Sequence, residues 1–317
     1  MEVSHGRLHD PTHNPGARRR AGLRDAGNRR RKAGVMAIRS NGARTLSSLE
    51  RGWFGIVAWL RRIATPDVVV QDRQYSTRFA CENAQAAYRA VSLWTKEEGT
   101  MAWLDGQLRP GDRFLDVGAN IGIYTLAAAH RVGPQGRVYA VEPNKPNAVV
   151  LMQNVAANGF QDRIDVIAIP LTDAREIAVF NYTSLKASDS GSQFGSTVRD
   201  GQGQSFVPVA RELCLGVSVD ELLDSAAIQP PDLVKIDVDG IEHKILQGMA
   251  RLLTTVRRPR SVQVELNVGE HEAIEGLMAS YGYRLDHRHL TAIGMKRKAA
   301  GVPMAQIAHN AVFVPAD

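Results

Sequence analysis

From Asp112 onward, short apolar runs alternate with longer stretches whose apolar residues recur every three or four positions. The short runs predict buried strands, and the longer stretches predict helices with one apolar face. Strands are expected at 114–117, 138–142, 164–169, 233–238 and 261–266, with a closing strand at 311–314. Helices are expected at 123–129, 145–158, 218–227, 241–253 and 270–281; the capping box Ser218-Val219-Asp220-Glu221 opens the third. On the second helix, Val149, Val150, Met152, Val155 and Ala156 are expected to face the sheet. Alternation of this kind builds a parallel sheet with crossover helices, so the fold class is α/β. Glu176–Tyr182 and Ser205–Val209 read as two more strands around a polar stretch, 184–204, long enough to carry function.

Upstream, the pattern weakens. It predicts a short strand at 68–70, a helix at 84–93, and a helix holding Trp103 and Leu104, capped by Thr100 and stopped near Pro110-Gly111. Residues 46–64 cluster Trp53, Phe54, Ile56, Val57, Trp59 and Leu60 ahead of Arg61-Arg62. That run falls short of the ~20 residues a membrane span requires. A helix here is expected to pack on the domain it precedes, and weak membrane-surface contact through 53–62 is the second reading. Residues 1–45 have almost no apolar periodicity and are expected to form a disordered basic tail. The domain plan is therefore a tail at 1–45, a helical cap at 46–110 and the α/β domain at 111–317.

Charge sharpens this division. The chain carries +6 overall, but residues 1–44 hold 11 Lys/Arg against three acids, which leaves −2 for everything after them. Basicity belongs to the tail, and a body of net negative charge argues against a nucleic-acid partner. The two cysteines, Cys81 and Cys214, make neither a disulfide framework nor a C-x-x-C metal pair, and a reducing cytoplasm is expected. No apolar run follows the basic stretch, so a secretory signal is not expected.

The candidate chemistry centres on Phe114–Thr125, FLDVGANIGIYT. A strand ends on Asp116-Val117, a small-residue turn follows from Gly118 to Gly122, and a helix begins. Glycine at such a turn opens the backbone to a ligand beside helix N-terminal N–H groups. The spacing Gly118-x-x-x-Gly122 is not that of a dinucleotide-binding turn, which disfavours a dehydrogenase. An acid at the strand tip repels a pyrophosphate but suits the cationic end of S-adenosylmethionine. Ligands of open parallel sheets bind at the carboxyl ends of the strands. Asp116, Glu142, Asp237, Asp239, Glu265 and Asn267 all sort to those ends. Glu142 lies 26 residues beyond Asp116, where a carboxylate can accept both hydroxyls of a ribose. Lys235 and Asp237 share one face of their strand by its two-residue period. A hydroxyl nucleophile needs a base or a metal, and Lys235, Asp237 and Glu265 are the candidate catalytic residues. Scattered acids without ligand spacing predict no metal.

DVGANIG at 116–122, VEPN at 141–144, VKIDVDGIEHKILQG at 234–248 and VEL at 264–266 resemble the FkbM family of S-adenosylmethionine-dependent methyltransferases. TKE at 95–97, Thr100, WLD at 103–105 and NAVFV at 310–314 extend the likeness over roughly 94–317. The resemblance implies a class I methyltransferase fold: a seven-stranded, mostly parallel sheet with helices on both faces and an antiparallel last hairpin strand. It also implies S-adenosyl-L-methionine as cofactor, lined by Asp116, Gly118, Asn120, Gly122 and Glu142. The expected acceptor is a hydroxyl of a small molecule or glycan. Asp239 departs from the family's usual Glu, and Glu98 stands where this branch often has Pro. The alternatives are a nucleic-acid methyltransferase using the basic tail, or a non-catalytic cofactor-binding protein at a membrane surface.

Overall fold

The five central apolar runs and the closing run at 311–314 become strands, and pairing between strands decides the details that periodicity leaves open. The structure, a computed structural model, describes residues 48–64, 67–72, 75–196, 198 and 205–316; the tail expected at 1–45 lies outside them. The lead-in runs through α1 (Ser48–Ala64), a hairpin of β1 (Val68–Asp72) and β2 (Tyr75–Phe79), α2 (Ala84–Val91), α3 (Leu93–Lys96) and α4 (Glu98–Gln107). Trp53, Phe54, Ile56, Trp59 and Leu60 of α1 are exposed, although their pattern predicts a packed face. Among the described residues no helix is long and apolar enough to cross a membrane. Thr100 does not cap α4. It sits inside the helix, buried, where its hydroxyl donates to Glu97 and accepts from Gln263 Nε2 at 3.0 Å.

The α/β body follows as β3 (Arg113–Val117), α5 (Ile123–Val132), β4 (Arg137–Val141), α6 (Lys145–Ala157) and β5 (Ile164–Ile167). An antiparallel insertion of β6 (Glu176–Tyr182), β7 (Gln193–Phe194) and β8 (Ala210–Gly216) comes next. Then come α7 (Val219–Asp224), β9 (Leu233–Ile236), α8 (Glu242–Gln247), α9 (Ala250–Thr254), β10 (Ser261–Leu266), α10 (His271–Ser280), β11 (Tyr283–His289), α11 (Ala292–Ala299) and β12 (His309–Pro315). The main sheet has the order β11-β12-β10-β9-β3-β4-β5, and β12 runs antiparallel to both β10 and β11. This is the seven-stranded class I methyltransferase sheet that the resemblance implies.

Three expectations change. The strand expected at 205–209 lies instead at Ala210–Gly216, in register with β6, so that Ile177 faces Leu215 and Val179 faces Leu213. Leu213 and Leu215 are exposed there, which hides the strand from a reading of apolar alternation. The helix expected over 241–253 breaks into α8 and α9 at Gly248, where a Cβ would lie 2.1 Å from the Thr172 carbonyl oxygen. On α6, Val150 and Val155 are buried as expected, but Val149, Met152 and Ala156 are exposed, and Ala148, Leu151 and Asn154 turn inward in their place.

The core has two layers, one per face of the sheet. Phe114, Val138, Ala140 and Leu233 pack on one side with Leu126 of α5, Leu151 of α6, and Met101, Trp103 and Leu104 of α4. Leu115, Val117, Val234, Ile236, Val262 and Val264 pack on the other side with Ile245, Leu252 and Ile274. Lead-in residues thus share the first layer with the sheet. Strand register aligns Asp116, Lys235 and Gln263 in one polar row across β3, β9 and β10. Asp237 and Glu265 follow two positions on, at the carboxyl ends of β9 and β10.

Candidate active site

The turn after β3 is shaped by neighbouring main chain. Both Gly118 and Ala119 N–H groups donate to the Val141 carbonyl at 3.0 Å, drawing the chain over the end of β4. Gly118, Asn120 and Gly122 have φ of +84°, +50° and +92°, the left-handed region that disfavours side chains. A Cβ on Gly118 would sit 1.9 Å from the Asp237 carbonyl oxygen, and one on Gly122 would sit 2.5 Å from Leu151 Cδ1. What Gly118 clears here is room for the chain leaving β9, and Gly122 lets α6 close on α5.

Glu142 is nearly buried, and its two oxygens are tied to different elements. Oε2 accepts the Asn120 N–H at 2.7 Å, and Oε1 accepts the Asn144 N–H at 2.8 Å. Burial raises its pKa to about 7 despite those donors. The Asn147 side chain is a third hydrogen-bond partner of this carboxyl group. Asp116 is fully buried. Its Oδ2 accepts the Thr125 hydroxyl at 2.6 Å, while Oδ1 has no hydrogen-bond partner and stands 3.8 Å from Lys235 Nζ. Burial raises its pKa, and the Lys235 ammonium partly offsets that.

The three candidate catalytic residues come together. Lys235 Nζ lies 2.9 Å from Asp237 Oδ2 and 5.0 Å above the Tyr124 ring centroid. Burial disfavours its charge, but Asp237, Asp116 and Glu97 more than compensate and hold it above the usual lysine range. Asp237 shows the converse: burial raises its pKa, and the Lys235 ammonium outweighs that and holds it well below the usual carboxylate range. Glu265 is pushed well above its ordinary value, first by the charge on Asp237 and then by burial, and it is hydrogen-bonded to Asp237. The negative charge of the pair is thus favoured on Asp237, beside the Lys235 ammonium.

Sequence reasoning missed three members of this cluster. Tyr124, at the first turn of α5, is hydrogen-bonded to Glu97, and burial raises its phenol well above the usual range. Lys96 Nζ lies 2.9 Å from Glu97 Oε1. TKE at 95–97 was legible only as a family likeness, because nothing local says that this segment folds onto the strand tips. Asp239 stays apart from the Asp237–Glu265 pair and accepts the Gly191 N–H on Oδ2. Glu242 accepts the Val238 and Gly240 N–H groups and so ties down the turn after β9. Among the described residues there is no group of three or more His, Cys, Asp or Glu placed to hold a metal.

The first half of the polar stretch runs over the turn from the other side. Asn147 Oδ1 accepts the Ser188 N–H at 2.7 Å, and its Nδ2 donates to the Asp189 carbonyl at 3.1 Å. Asn120 Nδ2 donates to that same carbonyl at 3.3 Å, and Asn144 Nδ2 donates to Ser192 Oγ at 3.2 Å. Three asparagines around Glu142 thus stitch segment 183–193 to the turn and to the start of α6.

The family model described as the methyltransferase FkbM domain matches residues 116–285. The hexuronic acid methyltransferase AglP of Haloferax volcanii is 27% identical over 196 residues, spanning 62% of this chain and 72% of that protein. The AMB antimetabolite synthetase AmbE of Pseudomonas aeruginosa is 27% identical over 220 residues, spanning 58% of this chain but only 10% of AmbE. The structure of methyltransferase FkbM from Methylobacillus flagellatus KT superposes with a TM-score of 0.41 at 13% identity, covering 73% of this chain and 52% of that one.

Proposed function

The chain belongs to the FkbM methyltransferase family, and from that premise we propose that it moves a methyl group from S-adenosylmethionine to a hydroxyl of a glycan or other small molecule. The residues of the first site fit such a cofactor. Glu142, tied to the turn after β3 and to the start of α6, is placed to take a ribose hydroxyl, and the Asp116 carboxyl near the end of β3 supplies negative charge toward a cationic ligand. The bound sulfonium supplies an electrophilic methyl group and a neutral thioether as leaving group.

The chain's own residues orient the acceptor and take its proton. Asp237 is ionised and hydrogen-bonded by both Lys235 and Glu265, so it presents a fixed acceptor for a substrate O–H. A carboxylate this stabilised is a weak base toward a neutral alcohol. It takes the proton as the new C–O bond forms, when the hydroxyl oxygen becomes acidic. Lys235 keeps Asp237 charged until then and supplies a counter-charge in a buried setting. The observation that carries the reading is the continuous polar row from Asp116 through Lys235 to Asp237 and Glu265, which joins the cofactor-type turn to the acceptor end of the sheet. The name of the AglP relative supports a sugar acceptor.

Calorimetry tests the cofactor: S-adenosylmethionine should bind and NAD should not. Turnover assays with sugars should then give an O-methyl ether. Binding of NAD alone, or of neither ligand, overturns the reading.

A further inference from the structure

A cavity of about 360 Å³ opens between α2 and segment 183–190. Three features of its lining remain unexplained by the fold. Arg89 of α2 is half-buried and donates Nε to the Ser188 carbonyl at 2.9 Å, yet has no carboxylate partner among the described residues. Ser188 is fully buried at φ +75°, and its Oγ has no hydrogen-bond partner. Asp189 uses its carbonyl to bind Asn120 and Asn147, while its carboxylate enters no hydrogen bond or ion pair among the described residues. The terminal nitrogens of a half-buried guanidinium are thus left to face the cavity, beside a buried hydroxyl that has no partner and is costly to leave so.

We propose that this cavity is the acceptor's binding subsite, and that it takes a polyhydroxylated ring bearing a carboxylate, a sugar acid, with Arg89 holding the carboxylate. The proposal rests on the reading of the protein as a sugar methyltransferase and names the residue that selects the sugar. The free edge of a guanidinium matches a carboxylate through two parallel N–H donors. Asp189, acceptor-only when ionised, suits vicinal ring hydroxyls, and Thr183, Ser184 and Gln85 supply groups that both donate and accept. A dianionic sugar phosphate fits worse, because one arginine faces it together with the Asp189 carboxylate. The main chain of Ser188 and Asp189 is hydrogen-bonded to the Asn120 and Asn147 side chains, so the cavity adjoins the turn after β3.

The test is a titration of the full chain, without cofactor, with sodium D-glucuronate, D-glucose and D-glucose 6-phosphate, followed by NMR. Glucuronate should bind at least about tenfold more tightly than glucose, as a charge-assisted pair implies, and more tightly than the phosphate. Arg89→Ala should remove that preference and leave S-adenosylmethionine affinity within about twofold. Arg89→Lys, which keeps the charge without the fork, should retain only part of it. Ser184→Phe, which fills the cavity from its rim, should abolish binding of both sugars. Equal affinity for glucuronate and glucose, stronger phosphate binding, or a preference surviving both Arg89→Ala and Ser184→Phe overturns the proposal. Failure to bind S-adenosylmethionine would instead strike the methyl-transfer reading, because the sugar titration does not depend on it.

Discussion

Glu142 and the Asp237–Glu265 pair are buried carboxyl groups with opposite consequences. The fold holds the Glu142 proton more tightly than the unfolded chain does, at about 7 against an ordinary 4.5. Its contribution to stability is therefore present at acid pH and is lost as pH rises through that window, an effect of about 3 kcal/mol. Glu142→Gln removes that titration, so the difference in melting temperature between variant and wild type should move in the variant's favour from pH 4.5 to 7.5. A flat difference would show that Glu142 keeps an ordinary pKa. The same variant loses hydrogen bonds to ribose from a charged acceptor, at ~1.5–3 kcal/mol each, so S-adenosylmethionine affinity should fall at least about tenfold by calorimetry. Asp237→Asn and Glu265→Gln act on the other step. Each should spare cofactor affinity and lower turnover by about a hundredfold or more, the usual loss when a proton acceptor is removed. The Lys235 ammonium already occupies the position between Asp116 and Asp237. Turnover should therefore survive EDTA, and loss restored by Mg²⁺ would recast the pair as ligands.

At the scale of elements, the turn between β3 and α5 is held from outside. Gly118 was legible as a glycine that frees backbone, but the Asp237 carbonyl that occupies the freed space comes from a strand more than a hundred residues later. Gly118→Ala meets that carbonyl at 1.9 Å and a φ of +84°. It should cost at least about 2 kcal/mol of stability in a denaturant titration, in addition to any loss of cofactor binding. Unchanged stability with lost binding would mean that the turn relaxes and that only the ligand needs the glycine. Of the insertion, β6 was legible in the sequence, whereas β7 forms inside the stretch that periodicity leaves without a strand. Its segment 183–193 carries little hydrophobic signal because it is fastened by asparagine side chains and main chain, which no apolar pattern reports.

At the scale of the whole molecule, the lead-in and the sheet share one core layer and one buried ion-pair centre. Arg131 of α5 reaches Asp72 of β1 at 2.9 Å and Asp105 of α4 at 2.6 Å, with its side chain 6% exposed. Arg131→Met leaves two carboxylates without their cation and should destabilise the protein by about 3–5 kcal/mol. Chemical denaturation should show this as a single earlier transition; an early transition confined to the lead-in would mean that residues 67–110 fold separately. The sequence by itself determined the α/β class, the order along the chain of the five central strands and helices, the turn at 118–122, the sorting of Asp116, Glu142, Asp237 and Glu265 to strand ends, and the shared face of Lys235 and Asp237. These follow from local periodicity and from the rule that strand termini carry the site. Only the tertiary structure decided that Glu97 and Tyr124 join Lys235, that β8 begins at Ala210, that Glu265 is hydrogen-bonded to Asp237, and that Arg89 lines a cavity beside Ser188 and Asp189. Each of these depends on contacts between residues far apart in the chain, and on burial that no local pattern encodes.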